Sequence, residues 1–243
     1  MSGVAQMKRE EIGGLVDDGA IKGAILGAGE NGYAFSSEVV MVSEPRGARA
    51  ESVRALRTHI MAQHLGDGRR GLAICAASAG VGASFTAVNL AVALAQIGVK
   101  TLLIDGDLRH PAVETFIVPP PGLTGLRQCL ASDAIEIGDG VQVDVLENLS
   151  IMYSGGATND AQELLSGERF GPLIERCLRD FDFTIVDTPP ANSSADARRI
   201  SNVVGYSVIV ARRHESFVVD IAALAAQLTG DRARVVGTVM SEA

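Results

Sequence analysis

The distribution of apolar residues along the chain predicts strands that alternate with helices. Short continuous apolar runs, which are typical of strands buried on both faces, occur at 71–76, 101–104, 149–152, 183–186, 206–211 and 235–240. Apolar positions three or four residues apart predict helices at 49–65, 83–97, 160–165, 169–179, 194–202 and 216–228. This alternation predicts an α/β fold whose doubly wound, mostly parallel sheet carries helices on both faces.

The first 40 residues follow a different pattern. They are rich in glycine and show little sustained periodicity, apart from a short helix suggested at 4–15. We interpret 1–40 as a flexible N-terminal arm and 41–243 as the folded domain. Within that domain, the segment 117–140 is interpreted as rich in loops.

Composition excludes several classes of protein. Of the 243 residues, 47% are hydrophobic and 21% are charged, which is typical of a globular protein. The net charge of −8 argues against non-specific nucleic-acid binding. No apolar run approaches the roughly 18–20 residues of a membrane span, so we expect a cytoplasmic protein. Three cysteines without CxxC spacing exclude a disulfide scaffold and a zinc ribbon.

A glycine-rich segment connects the strand predicted at 71–76 to the helix predicted at 83–97. Gly80 and Gly82 would let backbone N–H groups turn onto a phosphate beside the positive N-terminus of that helix. Ser84 is suited to bind Mg²⁺, but Ala83 stands where the full P-loop pattern has lysine. A glycine-rich turn without any ligand remains an alternative explanation.

Acidic residues follow two of the predicted strands. Asp105 and Asp107 come after the strand at 101–104, and Asp187 follows the strand at 183–186. Carboxylates at strand ends can hold hydrated Mg²⁺ and orient an attacking hydroxyl. Because parallel strands end at a common edge, we expect these carboxylates to lie near the glycine-rich segment. Solvated acids and a simple turn cap remain alternatives.

The helix predicted at 49–65 carries a third charged pattern. Glu51, Arg54 and Arg57 are spaced three residues apart and therefore lie roughly along one face. An ordinary solvated helix face would also explain this spacing.

Together these segments resemble the cytoplasmic domain of bacterial tyrosine kinases, the partners of polysaccharide co-polymerases in capsule and exopolysaccharide synthesis. The matching stretches occur in the family's order at 51–58, 80–91, 102–111, 149–170 and 181–190. The resemblance covers about 40–243 and implies a P-loop NTPase fold with deviant Walker motifs, related to the ParA and MinD ATPases.

The resemblance implies ATP or ADP with Mg²⁺ as cofactors and assigns roles to individual positions. The implied nucleotide-binding residues are Ala79, Gly80, Val81, Gly82, Ala83, Ser84, Phe85 and Arg109. The implied metal ligands are Ser84, Asp105 and Asp187, while Asp105 and Asp107 would assist transfer to tyrosine. Glu51, Arg54 and Arg57 would contribute to an oligomer interface, because the family uses this helix in ring assembly.

The chain departs from the family at the phosphate-binding lysine. Losing such a cation at Ala83 typically costs about 10²–10³ in rate, judging by comparable electrostatic donors. Lys100 precedes a strand and is therefore expected at the opposite edge of the sheet. Arg109, or Arg54 or Arg57 of a neighbouring subunit, is the better candidate for a replacement cation.

The tyrosines are a second departure. Family kinases usually carry a tail with a tyrosine cluster that neighbouring subunits phosphorylate, whereas this sequence ends directly after its last predicted strand, and we expect that tail to be missing. Tyr153 and Tyr206 are expected to pack, and Tyr33 is expected to be accessible in the arm. Ser241 stands where the family often has an adenine-contacting asparagine.

Two hypotheses for function follow. The first is a degenerate kinase with weak or no activity, which regulates polysaccharide polymerisation or export from the inner membrane surface through a separate membrane co-polymerase. The alternative is an active tyrosine kinase or ATPase that uses a substitute cation. A ParA- or MinD-type positioning ATPase is disfavoured, because Ser78 replaces the signature lysine of those proteins.

Overall fold

The computed structural model describes residues 23–28, 31–63 and 68–242. Its strands are β1 (Ile25–Ala28), β2 (Ala34–Ser36), β3 (Gly71–Ala76), β4 (Thr101–Asp105), β5 (Ile117–Val118), β6 (Gln142–Leu146), β7 (Leu149–Met152), β8 (Phe183–Asp187), β9 (Tyr206–Arg212) and β10 (Arg234–Ser241). Its α-helices are α1 (Val40–Ser43), α2 (Ala48–Gln63), α3 (Ala83–Ala95), α4 (Leu126–Ala131), α5 (Ala161–Ser166), α6 (Phe170–Asp180), α7 (Asp196–Val204) and α8 (Val218–Gly230).

The central sheet of the described residues has seven strands in the order β10-β9-β3-β8-β4-β7-β6. Neighbouring strands are parallel except at one edge, where β6 runs antiparallel to β7. The residues of β3, β4 and β8 are all buried, which explains their uninterrupted apolar sequences. The predicted doubly wound, mostly parallel α/β fold is confirmed.

Side chains alternate between two apolar layers, one on each face of the sheet. Leu72 and Ile74 of β3 join the layer that includes α2 and α3. Ala73 and Cys75, the intervening residues, join the layer formed by α4 to α8. This alternation follows from the two-residue period of a strand, and it explains why one short strand must be apolar throughout.

Helix α3 is buried along most of its length. Every residue from 86 to 95 is buried, because the helix lies between the sheet and α2. A helix with polar residues on one face would not fit this position, and α3 is correspondingly apolar. Its packing fixes the position of its first turn, which directly follows the glycine-rich segment.

The segment before α2 packs into the domain. Strand β2 pairs with β1 and β5, and Tyr33 and Phe35 are both 7% exposed within the layer that contains α3. Burial of these rings corrects the expectation that Tyr33 is accessible in a flexible arm. The expected helix at 4–15, and the arm up to residue 22, lie outside the described residues.

Several elements have weak sequence patterns and were not predicted. Strand β6 has mixed exposure, since Val145 is buried and Val143 is 68% exposed at the sheet edge. Strands β1, β2 and β5 are only two to four residues long. Helix α4 lies in the segment that the sequence suggested to be rich in loops.

Two further observations concern the cysteines and the helices. Cys75, Cys129 and Cys177 are buried free thiols. In the ranges that the structure describes, no helix combines the length and the apolar character that a membrane span requires.

Candidate functional site

The candidate site lies at the carboxyl edge of the sheet. Strands β3, β4 and β8 are parallel neighbours, and Asp105 of β4 stands directly opposite Asp187 of β8. The glycine-rich segment 77–82 leaves the same edge from β3. Three motifs that lie far apart in the sequence therefore come together at the place where α/β sheets bind ligands.

The segment 77–82 has the backbone geometry of an anion-binding loop. Gly80 and Gly82 have φ angles of +79° and +92°, which side chains rarely allow. Gly82 precedes α3, and its carbonyl accepts hydrogen bonds from the Thr86 N–H (2.9 Å) and hydroxyl (2.8 Å). Helix α3 therefore begins directly after this loop, so its first backbone N–H groups lie next to the loop. Ser84 lies in the first helical turn.

Two of the implied nucleotide-binding residues turn their side chains toward the protein. Val81 is 3% exposed and belongs to the core, and the Phe85 ring lies 4.7 Å from the Arg49 guanidinium. Contacts from these two positions to a phosphate would come from their backbone. Ala79 and Ala83 carry only a methyl group, so the loop offers a nucleotide mainly N–H donors.

Asp105 is fully buried and organises the segment that follows it. Its carboxylate accepts backbone N–H bonds from Asp107 at 3.2 Å and from Ala112 and Val113 at 3.0 Å each. Burial raises the pKa of Asp105 well above its usual range, and the nearby charge of Asp187 raises it further.

Asp107 and Arg109 are held by local contacts. The Asp107 carboxylate accepts the N–H groups of Arg109 (3.0 Å) and His110 (2.8 Å), and burial raises its pKa. The Arg109 Nε donates to the buried Asp196 carboxylate at 2.7 Å. Arg109 is therefore already paired with an acid of α7, which weakens its candidacy as the replacement cation.

Gly106 is required by the close approach of β4 and β8. Its N–H donates to the Asp187 carbonyl at 2.9 Å, and a Cβ at this position would lie 2.6 Å from that carbonyl oxygen. Glycine therefore lets the two aspartate-bearing strand ends come together.

The acidic pair fits a magnesium ion. Asp105 and Asp187 are buried and adjacent, and the negative charge of Asp187 makes ionisation of Asp105 more costly, a cost that a cation would relieve. No group of three or more His, Cys, Asp or Glu side chains in the described ranges is arranged to hold a metal. Magnesium usually binds through one or two carboxylates with water and phosphate oxygens, so this donor set is adequate with Ser84.

The charged face of α2 makes contacts within the chain. Arg54 pairs with Glu51 at 3.0 Å and also donates to the Pro45 carbonyl, while Arg57 donates to the Ala93 carbonyl of α3 at 3.2 Å. The Glu51 side chain remains 76% exposed. The two arginines thus have intrachain roles, and Glu51 is the member of the trio that is most available to another molecule.

One cation beside the loop was missed by the sequence interpretation. Arg212, the last residue of β9, donates from Nη1 to the Gly80 carbonyl at 3.2 Å. The sequence contained a signal for Arg212, since it follows an apolar run. Residues in that position lie at the carboxyl edge of a parallel sheet, which is the argument that placed Asp105 and Asp187. No such signal indicated Asp196, the acid paired with Arg109.

Comparisons with known proteins come from sequence and from structure. The family described as "AAA domain" matches residues 69–225. The tyrosine-protein kinase YwqD of Bacillus subtilis is 35% identical, over 74% of this chain and 75% of that protein. The putative tyrosine-protein kinase CapB of Staphylococcus aureus is 27% identical, over 85% of this chain and 90% of that protein.

Longer relatives and solved structures extend this comparison. The succinoglycan biosynthesis transport protein ExoP of Rhizobium meliloti is 34% identical over 65% of this chain, which is 20% of that protein. The kinase domain of the Escherichia coli tyrosine kinase ETK superposes with a TM-score of 0.79 at 27% identity, covering 84% of this chain and 79% of that one. The Pyrococcus furiosus cell-division ATPase MinD shares the fold, with a TM-score of 0.60 at 20% identity over 71% of each chain.

Proposed function

Because this chain belongs to the family of bacterial tyrosine kinases, we propose that it binds Mg²⁺–nucleotide but has weak or no kinase activity. In this proposal it acts as a regulatory subunit of exopolysaccharide or capsule synthesis, beside a separate membrane polysaccharide co-polymerase. The observation that carries the proposal is Ala83, which begins α3 at the position of the phosphate-binding lysine.

Nucleotide binding is supported by what the site retains. The loop 77–82 and the first turn of α3 provide N–H donors for phosphate oxygens, and Asp105, Asp187 and Ser84 suit Mg²⁺. When bound, the ion would neutralise negative charge on the phosphates. The residues of this chain would hold the ion, orient the phosphates and keep the acidic pair buried.

The positions of the lysine and arginine side chains support weak phosphoryl transfer. Lys100 lies just before β4, at the amino edge of the sheet, where its Nζ donates to the Asp180 carbonyl at 3.1 Å. Arg109 is paired with Asp196. Neither replaces a lysine at Ala83, and removing one such electrostatic donor costs about 10²–10³ in rate.

The positions of the tyrosines also support the proposal that this chain does not phosphorylate itself. Tyr33 and Tyr153 are buried, and the Tyr153 hydroxyl donates to the Ile117 carbonyl at 3.0 Å. Burial raises the pKa of both phenols. Tyr206 begins β9, and its ring contacts the Arg69 guanidinium at 4.8 Å. A hydroxyl acceptor held in the core cannot reach the site of a neighbouring copy.

A membrane partner is supported by the longer relatives. The match to ExoP covers only a fifth of that transport protein, which therefore contains a similar segment within a much longer chain. We place this chain at the cytoplasmic membrane surface through a separate co-polymerase, with self-association through the Glu51 face of α2. The alternative function, an active kinase or ATPase with a substitute cation, is supported by the retention of Asp105, Asp107 and Asp187.

The test restores the missing cation. Calorimetric titration with Mg²⁺–ATP and Mg²⁺–ADP should show tighter binding by Ala83→Lys than by the wild type, by about tenfold to a hundredfold, because a charged donor returns to the phosphates. Phosphorylation of a tyrosine peptide should rise by about 10²–10³. Ala131→Lys adds the same charge at the exposed end of α4 and should leave both measurements unchanged.

Two outcomes would contradict the proposal. Absence of binding to the wild type at millimolar nucleotide would refute the nucleotide-binding part. Wild-type phosphorylation as fast as that of Ala83→Lys would refute the impaired-kinase part and favour the alternative function.

A further inference from the structure

Arg212 is held beside the glycine-rich loop by the topology of the sheet. Strands β9 and β3 are parallel neighbours, with Val210 opposite Ala76, so β9 ends beside the start of the loop. The Arg212 Nη1 donates to the Gly80 carbonyl at 3.2 Å. A residue 132 positions away in sequence thereby reaches the centre of the loop.

The backbone around Arg212 is fixed by a tight turn. The Arg212 N–H donates to the Ser216 hydroxyl at 2.9 Å, and the Arg212 carbonyl accepts the N–H groups of Glu215 and Ser216. Its Nε pairs with the Glu215 carboxylate at 3.2 Å. The guanidinium is thus oriented before any ligand arrives, which lowers the entropy cost of binding.

The guanidinium keeps capacity for a ligand. Nε and Nη1 have the partners just described, whereas Nη2 makes no hydrogen bond or ion pair with any residue in the described part of the chain. The Arg212 side chain is 29% exposed, so solvent and ligands reach it. Guanidinium groups with free N–H donors suit phosphate oxygens in both charge and geometry.

Other cations that the sequence suggested for this role lie elsewhere. Arg109 is paired with Asp196, and Lys100 occupies the opposite edge of the sheet. Arg54 and Arg57 contact backbone carbonyls on or beside α2 and α3. Arg212 is the arginine that the structure brings into contact with the loop.

We propose that Arg212 is a nucleotide-binding residue whose guanidinium contacts the phosphates and takes over part of the role of the lysine that Ala83 replaces. This inference rests on the nucleotide binding proposed above. It assigns Arg212 to binding and positioning of the phosphates, with no step of transfer assigned to it.

The experiment is a double-mutant cycle read by calorimetric titration with Mg²⁺–ADP. Arg212→Ala should weaken binding by about tenfold to a hundredfold, since a charge-assisted hydrogen bond is lost. In the Ala83→Lys background the same change should cost less than about threefold, because the lysine already serves the phosphates. The ligand-free thermal midpoint should stay within about 2 °C, as for other surface substitutions.

The matched control is the neighbouring arginine. Arg213 is 61% exposed and pairs with Glu242 at 3.0 Å, so Arg213→Ala removes an equal charge without touching the loop. Its affinity should stay within about twofold of the wild type, because screened surface charges contribute little.

Three outcomes would overturn the inference. Unchanged affinity in Arg212→Ala would show that the guanidinium does not contact the phosphates. An equal loss of affinity in the wild-type and Ala83→Lys backgrounds would show that Arg212 acts separately from the lysine, through its hydrogen bond to the Gly80 carbonyl. If the wild type itself fails to bind Mg²⁺–ADP, the proposed nucleotide binding falls together with this inference, whereas the first two outcomes leave it standing.

Discussion

At the residue scale, the site concentrates negative charge in the interior. Asp105 and Asp187 are 0% and 1% exposed and face each other across β4 and β8. The folded state holds a proton on Asp105 more readily than the unfolded state does, since its pKa is raised well above the ordinary value. Without a cation, the folded protein therefore loses stability as pH rises from the unfolded pKa through the raised one.

Removal of the Asp187 charge should stabilise the protein in the absence of metal. We expect Asp187→Asn to raise the unfolding midpoint near neutral pH by about 2–4 °C, which corresponds to about 1 kcal/mol in a chain of this size. Its stability should also fall less as pH rises above the ordinary aspartate range, because the repulsion that raises the Asp105 pKa is gone. Thermal unfolding over a pH series measures both effects.

The same variant should lose the stabilisation that Mg²⁺–ADP gives to the wild type. Asp220→Asn, on the exposed first turn of α8, removes an equal charge from a surface residue outside the pair and serves as the control. A wild-type midpoint above that of Asp187→Asn without metal would contradict the repulsion argument.

The residues of the site differ in how far the sequence could predict them. Asp105 and Asp187 could be placed together because each ends an apolar run and parallel strands share an edge. The partner of Arg109 could not be predicted, since Asp196 is 87 positions away and belongs to a helix whose rotation depends on packing. Arg212 could also have been placed at this edge, because it follows an apolar run, but it is not part of a recognised motif.

At the element scale, Asn89 of α3 joins the N-terminal segment to the core. Its side-chain amide donates to the carbonyls of Glu38 and Phe85 at 3.0 Å each, and its oxygen accepts the Met41 N–H at 3.3 Å. The side chain is fully buried, so these bonds satisfy groups that water cannot reach. Asn89 thus connects α3 to α1 and to the segment that follows β2.

We expect Asn89→Ala to destabilise the protein by about 1–3 kcal/mol, because buried backbone groups of 38–41 lose their partners. Hydrogen exchange should rise first at 33–43, and denaturant unfolding measures the free-energy change. Asn192→Ala, at an exposed loop position, should change stability by less than about 0.5 kcal/mol. Unchanged exchange at 33–43 would show that the segment is held by its apolar contacts alone.

Strands were predicted best where burial makes the sequence apolar throughout. The predicted run at 71–76 matches β3, and 149–152 matches β7, because both faces of these strands are covered. Strand β2 at 34–36 could not be recognised, since three residues are too few for a period and one of its two pairing partners, β5, lies far along the chain. Its burial depends on tertiary packing, which local patterns do not encode.

At the scale of the whole molecule, the exposed face of α2 is the surface that the family resemblance assigns to assembly. Arg57 donates to a backbone carbonyl of α3, whereas the Glu51 side chain, which pairs with Arg54, remains 76% exposed. The fold could be predicted because the motifs occur in the family's order. The contribution of residues 33–41 to the core could not, since they lie before the first of those motifs.

We expect Glu51→Arg to abolish self-association and to leave the thermal midpoint of the monomer within about 2 °C, because the side chain is exposed. Light scattering with Mg²⁺–ADP over a concentration series measures the assembly. Glu147→Arg, which reverses a charge at the exposed turn between β6 and β7, should assemble as the wild type does. A wild type that remains monomeric throughout would contradict the assigned interface.

The hydrogen bonds around Asp105 have a consequence for how this sequence changes over evolutionary time. Asp105 and Asp107 hold the segment 106–113 by hydrogen bonds, and Gly106 lets two strands approach, so a requirement for stability alone would favour all three. A lineage that abandons catalysis would still inherit them, whereas a lysine at position 83 would be released from selection. Retention of Asp105 and Asp107 is therefore also explained by their place in the fold, independently of catalysis.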